Sequence, residues 1–390
     1  MLEERIKVEL ALSRRRNDFQ EELAIGLGSV AGCVEISGRQ LVDFASWDTM
    51  GVSQDRAFRK VILDAVEQSI LNARLSAVRG RTAIHAQAER GLAAALRYED
   101  CILFSSRSQA ILSLVTNLFT DRDILLVEEG MTSGIVQDAA ALAQVPIRVV
   151  PRGDVDELAK AIEAHGAGER IVWCDGISLE RGELPNLREI VRVCLRTGSR
   201  LIVDESHTVG LVGDSLLGSL DTVGLLGGAI ATIGSLAYGL ASFGGYVCSS
   251  RSVCDLIRAR SKAYAREAAL PCHAVAPVST AIGLLTSSQE LRRRMGEVTE
   301  ALVSGLRDFG FSVFHPPGST LVCVKLPKTI SPKGIYERLV QAGYLIDWEW
   351  TVFRSQESRT VRFLISRFHT RHHVSGVLEI FAGIARALRD

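Results

Sequence analysis

The stretch Leu201-Ile202-Val203-Asp204-Glu205-Ser206-His207-Thr208-Val209-Gly210-Leu211-Val212-Gly213, with its continuation GSLAYGLASFGGYVCSS from Gly234 to Ser250, decides the fold. Leu201 to Val203 read as a buried strand. It ends on Asp204, Glu205 and His207, and polar groups at the carboxyl end of a parallel strand lie where open α/β sheets bind ligands. The continuation is rich in glycine and small residues. It reads as a second strand-edge loop whose backbone can come close to a ligand.

Working outward, apolar runs of strand length recur at Ile102–Phe104, Ile124–Val127, Ile147–Val150, Ile171–Cys174, Ile230–Ile233 and Tyr246–Cys248. Helical patterns such as Asp154–His165 and Leu187–Arg196 lie between them. This alternation predicts a mostly parallel sheet covered by helices. A long helix, Leu291–Phe309, leads into a smaller α+β region with strands at Thr320–Leu326 and Thr360–Ser366 and a closing helix over Val374–Leu388. Upstream, Leu2–Leu27 reads as a charged amphipathic helix serving as a packing or dimer arm. Cys33–Phe44 reads as a β-like run and Arg56–Ser76 as a helix. The expected division is an arm over 1–45, a large domain over 46–285 and a small domain over 286–390. No internal repeat or low-complexity tract breaks this order.

The 390 residues are 47% apolar, and 45 basic residues balance 45 acidic ones. Such a chain buries a large core and has no electrostatic pull toward nucleic acid. Its eight cysteines are scattered, without C-x-x-C or zinc spacing, and no secretory leader is present. Reduced thiols, a cytoplasmic location and no metal site are expected. From Asp221 to Arg251 no charge intervenes, a length that could span a bilayer, but glycines at 224, 227, 228, 234, 239, 244 and 245 break any helical pattern. Buried strands and turns explain the run, and no transmembrane segment is expected.

Taken together, the two opening segments resemble the α-oxoamine synthase family of fold-type I pyridoxal 5′-phosphate (PLP) enzymes. That family carries D-E-A-H-x-x-G-x-x-G, then T-F-S-K-A-[LF]-G-x-x-G-G-Y. The resemblance implies an aspartate aminotransferase-like α/β fold, with a mostly parallel central sheet and a smaller C-terminal α+β domain. Further landmarks follow in order. Ala45-Ser46-Trp47-Asp48-Thr49-Met50-Gly51 is similar to S-N-D-Y-L-G with its Asn and Tyr replaced. Gly80 to His85, with Glu89 beyond, matches G-x-x-x-x-H-x-x-L-E; the family arginine before it falls on Ser76, close to Arg74.

Counting back from Gly244-Gly245, the family's Schiff-base lysine falls on Tyr238. The seven lysines stand at 7, 60, 160, 262, 325, 328 and 333, none of them between Lys160 and Lys262, the interval of the cofactor strands. Without an ε-amine there, covalent attachment of PLP is not expected. By the same resemblance Asp204 would face the pyridinium nitrogen and His207 the phenolic oxygen. A buried carboxylate needs a partner in any case, and a salt bridge or a hydrogen-bonded site would serve as well. Ser178 matches a serine of S-M-D-G-D-x-A-P-L, otherwise a loop cap. The phosphate loop F-S-S-G-[FY] reads Phe104-Ser105-Ser106-Arg107-Ser108; Arg107 is left to pair with phosphate, fill the phosphate pocket or face solvent. The stacking histidine aligns on Thr132, which has no ring. Ser235 keeps the first hydroxyl of T-F-S-K, while Ala237 and Ala268 replace two others. Arg362 matches the arginine that grips the amino-acid carboxylate, or else is a strand ladder pair.

Within the family, Leu240-Ala241-Ser242-Phe243-Gly244-Gly245 and Ala268 are most similar to the lysine-less first subunit of serine palmitoyltransferase. The resemblance implies a non-catalytic subunit or pseudoenzyme of a decarboxylative condensation of an amino acid with acyl-CoA, as a homodimer or as a heterodimer with a lysine-bearing relative. Two alternatives stay open: an acyltransferase that holds PLP non-covalently, and a homodimeric binding or regulatory protein with a repurposed cleft.

Overall fold

The computed structural model describes residues 2–15, 25–27, 30–68, 80–130, 134–166, 168–179, 181–347 and 359–388. Its strands are β1 Ile25–Leu27, β2 Cys33–Ile36, β3 Arg39–Phe44, β4 Asp100–Phe104, β5 Ile124–Glu128, β6 Ile147–Val150 and β7 Arg170–Asp175. They continue as β8 Arg200–Asp204, β9 Ala231–Ser235, β10 Gly245–Ser249, β11 Ser312–Phe314, β12 Leu321–Lys325, β13 Tyr344–Ile346 and β14 Thr360–Leu364. A seven-stranded sheet runs β4-β10-β9-β8-β7-β5-β6, in which β10 alone is antiparallel to its neighbours. The expected mostly parallel sheet is therefore present.

Every strand read from an apolar run in this sheet forms within two residues of its expected ends. The reason is burial: β8, β9 and β10 have hardly an exposed side chain, and continuous apolar runs are what a doubly covered sheet requires. One face carries Ile111, Leu114, Val127, Trp173, Ile202 and Val247 in one apolar cluster. The other carries Leu126, Ile162, Val172, Ile190 and Val203. The uncharged run between Asp221 and Arg251 is accounted for by β9, β10 and their loops. Among the described residues no helix is long and apolar enough to cross a membrane.

The amino-terminal helix needs one correction. Helix Leu2–Arg15 is not continued to Leu27, because Ile25–Leu27 is a strand paired antiparallel with β2. Gly26 disfavours helix, and an available strand edge captures the short flanking apolar pair. The run Cys33–Phe44 has the expected β character and forms a hairpin. Ser37 and Gly38, both with positive φ, form its two-residue turn, with Ile36 opposite Arg39. The hairpin then joins the C-terminal part of the chain, since β3 pairs in parallel with β13. The helix predicted over Arg56–Ser76 is seen from Arg56 to Gln68; Arg74 and Ser76 lie outside the described residues.

A second sheet, β11-β12-β14, packs with helices 289–308 and 371–387 around Phe363 and Phe381. A small cluster of Ile177, Leu179, Leu211, Val212, Leu321, Cys323 and Leu364 joins it to the carboxyl edge of the large sheet. His369 locks the hairpin to this unit. Its ring stacks on Phe44 at 3.9 Å with planes 2° apart, and its Nδ1 accepts a hydrogen bond from the Ser366 amide at 2.7 Å.

Burial, aided by the neighbouring His373, lowers the His369 pKa to about 3. An imidazole held neutral in the fold takes its proton only on unfolding, so acid favours the unfolded chain. Stability should be level above about pH 6.5 and fall below it by up to ~1.4 kcal/mol per pH unit. Guanidinium unfolding between about pH 6.5 and 5, above most carboxylate titrations, reads this directly. His369→Asn should flatten the slope, leaving the smaller shares of His85 and His373, which burial also lowers. An unchanged slope in the variant would refute the assignment.

Candidate functional site

The carboxyl ends of β4, β7, β8 and β9 converge on one crevice facing the second sheet, as open α/β sheets require of a ligand site. Asp204 is the last residue of β8, and its side chain is 2% exposed. Arg107 opens the helix that follows β4 and lies across the sheet from it. Its Nε donates to Asp204 Oδ2 at 2.9 Å, and Nη2 donates to the same oxygen. Asp204 Oδ1 accepts from the Ser206 amide at 3.0 Å and from its hydroxyl at 2.5 Å. Burial opposes the charge of this carboxyl, but Arg107 and Ser206 outweigh it and hold its pKa below the ordinary value. Burial likewise opposes the guanidinium charge, and Asp204 outweighs that and raises the Arg107 pKa. Of the partners the sequence allowed Asp204, the salt bridge is the one seen. Arg107 lines the crevice and is held there by Asp204.

His207, three residues past Asp204, lies under the Tyr238 ring, with centroids 4.6 Å apart and planes at 28°. Trp47 closes the other side at 4.8 Å from His207 and 5.6 Å from Tyr238. The loop carrying Trp47 is pinned by its own polar residues. Asp43 accepts from the amides of Ala45 and Ser46, Asp48 from those of Val52 and Ser53, and Thr49 donates to the Gly210 carbonyl. Burial raises the Tyr238 pKa, and Arg107 offsets this only in part, so its phenol stays protonated at neutral pH.

Two devices position this aromatic trio. Gly239 presses against Gly210, where an added Cβ would sit 2.1 Å from the Val209 carbonyl oxygen; only glycine lets the two loops meet. Glu205, 1% exposed, organises the segment after β8. It accepts from the Ser219 amide at 2.7 Å, the Leu220 amide at 2.9 Å, the Ser219 hydroxyl at 2.8 Å and the Thr208 hydroxyl. Burial raises its pKa despite these donors.

The remaining sequence candidates are spread around this centre. Ser178 is buried at the crevice, and its hydroxyl caps a turn by accepting from the Arg181 amide at 3.3 Å. Ser235 ends β9 and accepts from the Ala237 amide at 3.1 Å. Ser108 is exposed on the first turn of the Arg107 helix, and Ala268 lies in an irregular stretch before Pro271. Thr132 lies outside the described residues. Arg362 is not an exposed ladder residue. It is 1% exposed, pairs with Asp347 at 2.8 Å and donates to the Leu179 carbonyl at 3.0 Å, one residue from Ser178.

Three residues escaped the sequence reading. Asp175 ends β7 in direct register with Asp204, which places two carboxylates on neighbouring strand ends beside Arg107. The signal was there in two strand patterns that both finish on Asp. Asp347 carries none, since only the fold brings it to Arg362. Trp47 stands in a recognised segment, but its stacking role follows from the loop's anchoring.

PLP, which the fold family implies, needs room, a cation-seeking carboxylate, ring cover and an amine. The crevice cavity bounded by Arg107, Asp175, Ser178, Asp204 and His207 measures about 30 Å³. That holds about two waters, whereas pockets for small molecules run to roughly 300–1,000 Å³. Asp204 has its cation, the His207 face is covered by Tyr238, and position 238 supplies no amine. The side chains as arranged do not fit the cofactor. Among the described residues no cluster of His, Cys, Asp or Glu could hold a metal ion.

Residues 40–364 match the family model described as aminotransferase class I and II. The chain is 23% identical over 360 residues to 8-amino-7-oxononanoate synthase of Alkaliphilus metalliredigens, covering 91% of this chain and 90% of the relative. It is 24% identical over 356 residues to serine palmitoyltransferase of Caulobacter vibrioides, covering 90% and 88%. A solved structure of SPT with its PLP internal aldimine superposes over all of this chain and 99% of its own, with a TM-score of 0.89 at 22% identity. The chain belongs to the class I and II aminotransferase family, with α-oxoamine synthases as its relatives and the fold-type I architecture.

Removing the Glu205 carboxylate strands two amides and two hydroxyls in the interior. Glu205→Ala should cost roughly 3 kcal/mol or more in denaturant unfolding, and Glu205→Gln, which keeps one acceptor oxygen, less. A loss below about 1 kcal/mol for the alanine variant would show that the segment holds itself without this hub.

Proposed function

We propose that this chain is a non-catalytic α-oxoamine synthase-like subunit that serves a serine palmitoyltransferase-like, decarboxylative condensation of an amino acid with acyl-CoA by pairing with a lysine-bearing relative. The observation that carries this reading is the state of position 238. A neutral phenol packed against both His207 and Trp47 stands where the chemistry needs a nucleophilic amine. The nearest lysine in sequence, Lys262, is exposed on a short helix beyond β10.

Two further features support the reading. Asp204 and Arg362, the two charges that relatives would turn toward cofactor and substrate, are themselves buried and each have a counter-ion from this chain. The scaffold around them is nonetheless complete, from the Glu205 hub to the Gly210–Gly239 contact. A protomer of this kind keeps the surfaces needed for assembly while leaving the chemistry to its partner. All eight cysteines are free, which suits a reducing compartment such as the cytosol.

Co-expression with a lysine-bearing α-oxoamine synthase from the same cell tests the reading. The two chains should co-purify as a complex that forms the condensation product. The isolated chain should form none and retain no cofactor after borohydride reduction and desalting. Tyr238→Lys alone should remain inactive, because Arg107 still holds Asp204 and Ala237 and Ala268 still lack their hydroxyls. Turnover by the isolated chain, or failure to pair with any such relative, would overturn the proposal.

A further inference from the structure

We propose that Arg107 is a built-in replacement for a cofactor cation: its guanidinium permanently neutralises Asp204, so the crevice is complete without a ligand and closed to pyridoxal-type cofactors.

A carboxylate that is 2% exposed at a strand end cannot stand alone, because burying an unpaired charge is prohibitive. Asp175, in register on the next strand, adds a second negative charge at the same edge. To keep its charge, Asp204 therefore needs a cation over this pair of strand ends. Arg107 provides it from within the chain, with two donors on Oδ2, while Ser206 fills Oδ1. The acceptor positions of Asp204 are thus spent. The guanidinium also lies in the crevice itself, where about 30 Å³ remains.

Its backbone position is equally fixed. Ser106 caps the helix by accepting from the Gln109 amide at 3.1 Å, and Gly245 lies so close that an added Cβ there would be 2.6 Å from the Arg107 Cα. Swinging the side chain out would strand Asp204 beside Asp175. The neighbouring Arg362–Asp347 pair shows the same arrangement with the signs reversed, a buried guanidinium supplied with a carboxylate by the chain. Both buried charges are neutralised from within the chain.

The test uses the full chain and pyridoxine 5′-phosphate, which has the pyridine ring and phosphate but no aldehyde to react with surface lysines. At ~1 mM it should leave the Tm of the unaltered chain unmoved and give no heat of binding in calorimetry. Arg107→Ser should lower the Tm by several degrees, and the same ligand should then raise it by about 2 °C or more. Asp204→Asn should also lower the Tm, and Arg107→Ser/Asp204→Asn should be more stable than either single variant. If the single variants do not fold, the double variant carries the test, and its failure to fold would overturn the proposal. Saturable binding by the unaltered chain, or a double variant no better than the singles, would overturn it too. These outcomes are independent of partner binding, so this inference and the subunit reading can fail separately.

Discussion

A buried carboxylate must have a cation, and the site of this protein is arranged around that requirement. Asp204 cannot reach water from the end of β8, so its charge is tolerable only because the Arg107 guanidinium donates to it and Ser206 completes the shell. The pair spans the large sheet, joining the helix after β4 to the strand in the sheet's middle. It therefore also fixes how the loops at the sheet's carboxyl edge sit against each other. Beside it, Tyr238, His207 and Trp47 pack against one another, the last from the loop that follows β3.

The ion pair and the tyrosine at position 238 share one crevice and are physically linked. Where a charged aromatic ring occupies such a crevice, it serves both as counter-ion to the carboxylate and as filling for the space. On the proposed reading, in which that ring is excluded, the chain itself meets both functions. Here arginine supplies the charge, and the Tyr238 ring supplies bulk and apolar cover over His207. Neither substitution makes sense alone. A tyrosine without the arginine would leave Asp204 unpaired, and an arginine beside an intact cofactor would compete with it for the same oxygen.

How much of this was legible in the sequence follows from what each feature depends on. The sheet was legible because continuous apolar runs such as Ile171–Cys174 and Leu201–Val203 have one stable home, a strand covered on both faces. The positions of Asp204, His207 and Tyr238 were legible because they are set by spacing from those strands. The hairpin was half legible: Cys33–Phe44 has β character, but the Ser37-Gly38 turn that folds it was overlooked, and the pairing of β1 with β2 depends on a tertiary edge. The partners of Arg107 and Arg362 were not legible. Asp204 lies 97 residues from Arg107 and Asp347 lies 15 from Arg362, and a charge in sequence carries no mark of which opposite charge it will meet. Long-range ion pairs are decided by which strand ends and loops the topology brings together.

This bears on how such a site should be read. Position by position, Tyr238, Arg107 and Ala237 look like independent losses, each removing one function. In the fold they are coupled, because the electrostatics of the crevice must close in every state the chain occupies. Asp204 persists because it is neutralised, and its presence alone says nothing about whether a ligand is bound. The informative residue is the one that answers the charge. At this site the answer comes from Arg107, a side chain already paid for by the folding of the helix that bears it, so occupancy of the crevice costs no binding event. A site whose counter-ions are all tethered gains rigidity and gives up exchange, and exchange is what a cofactor needs.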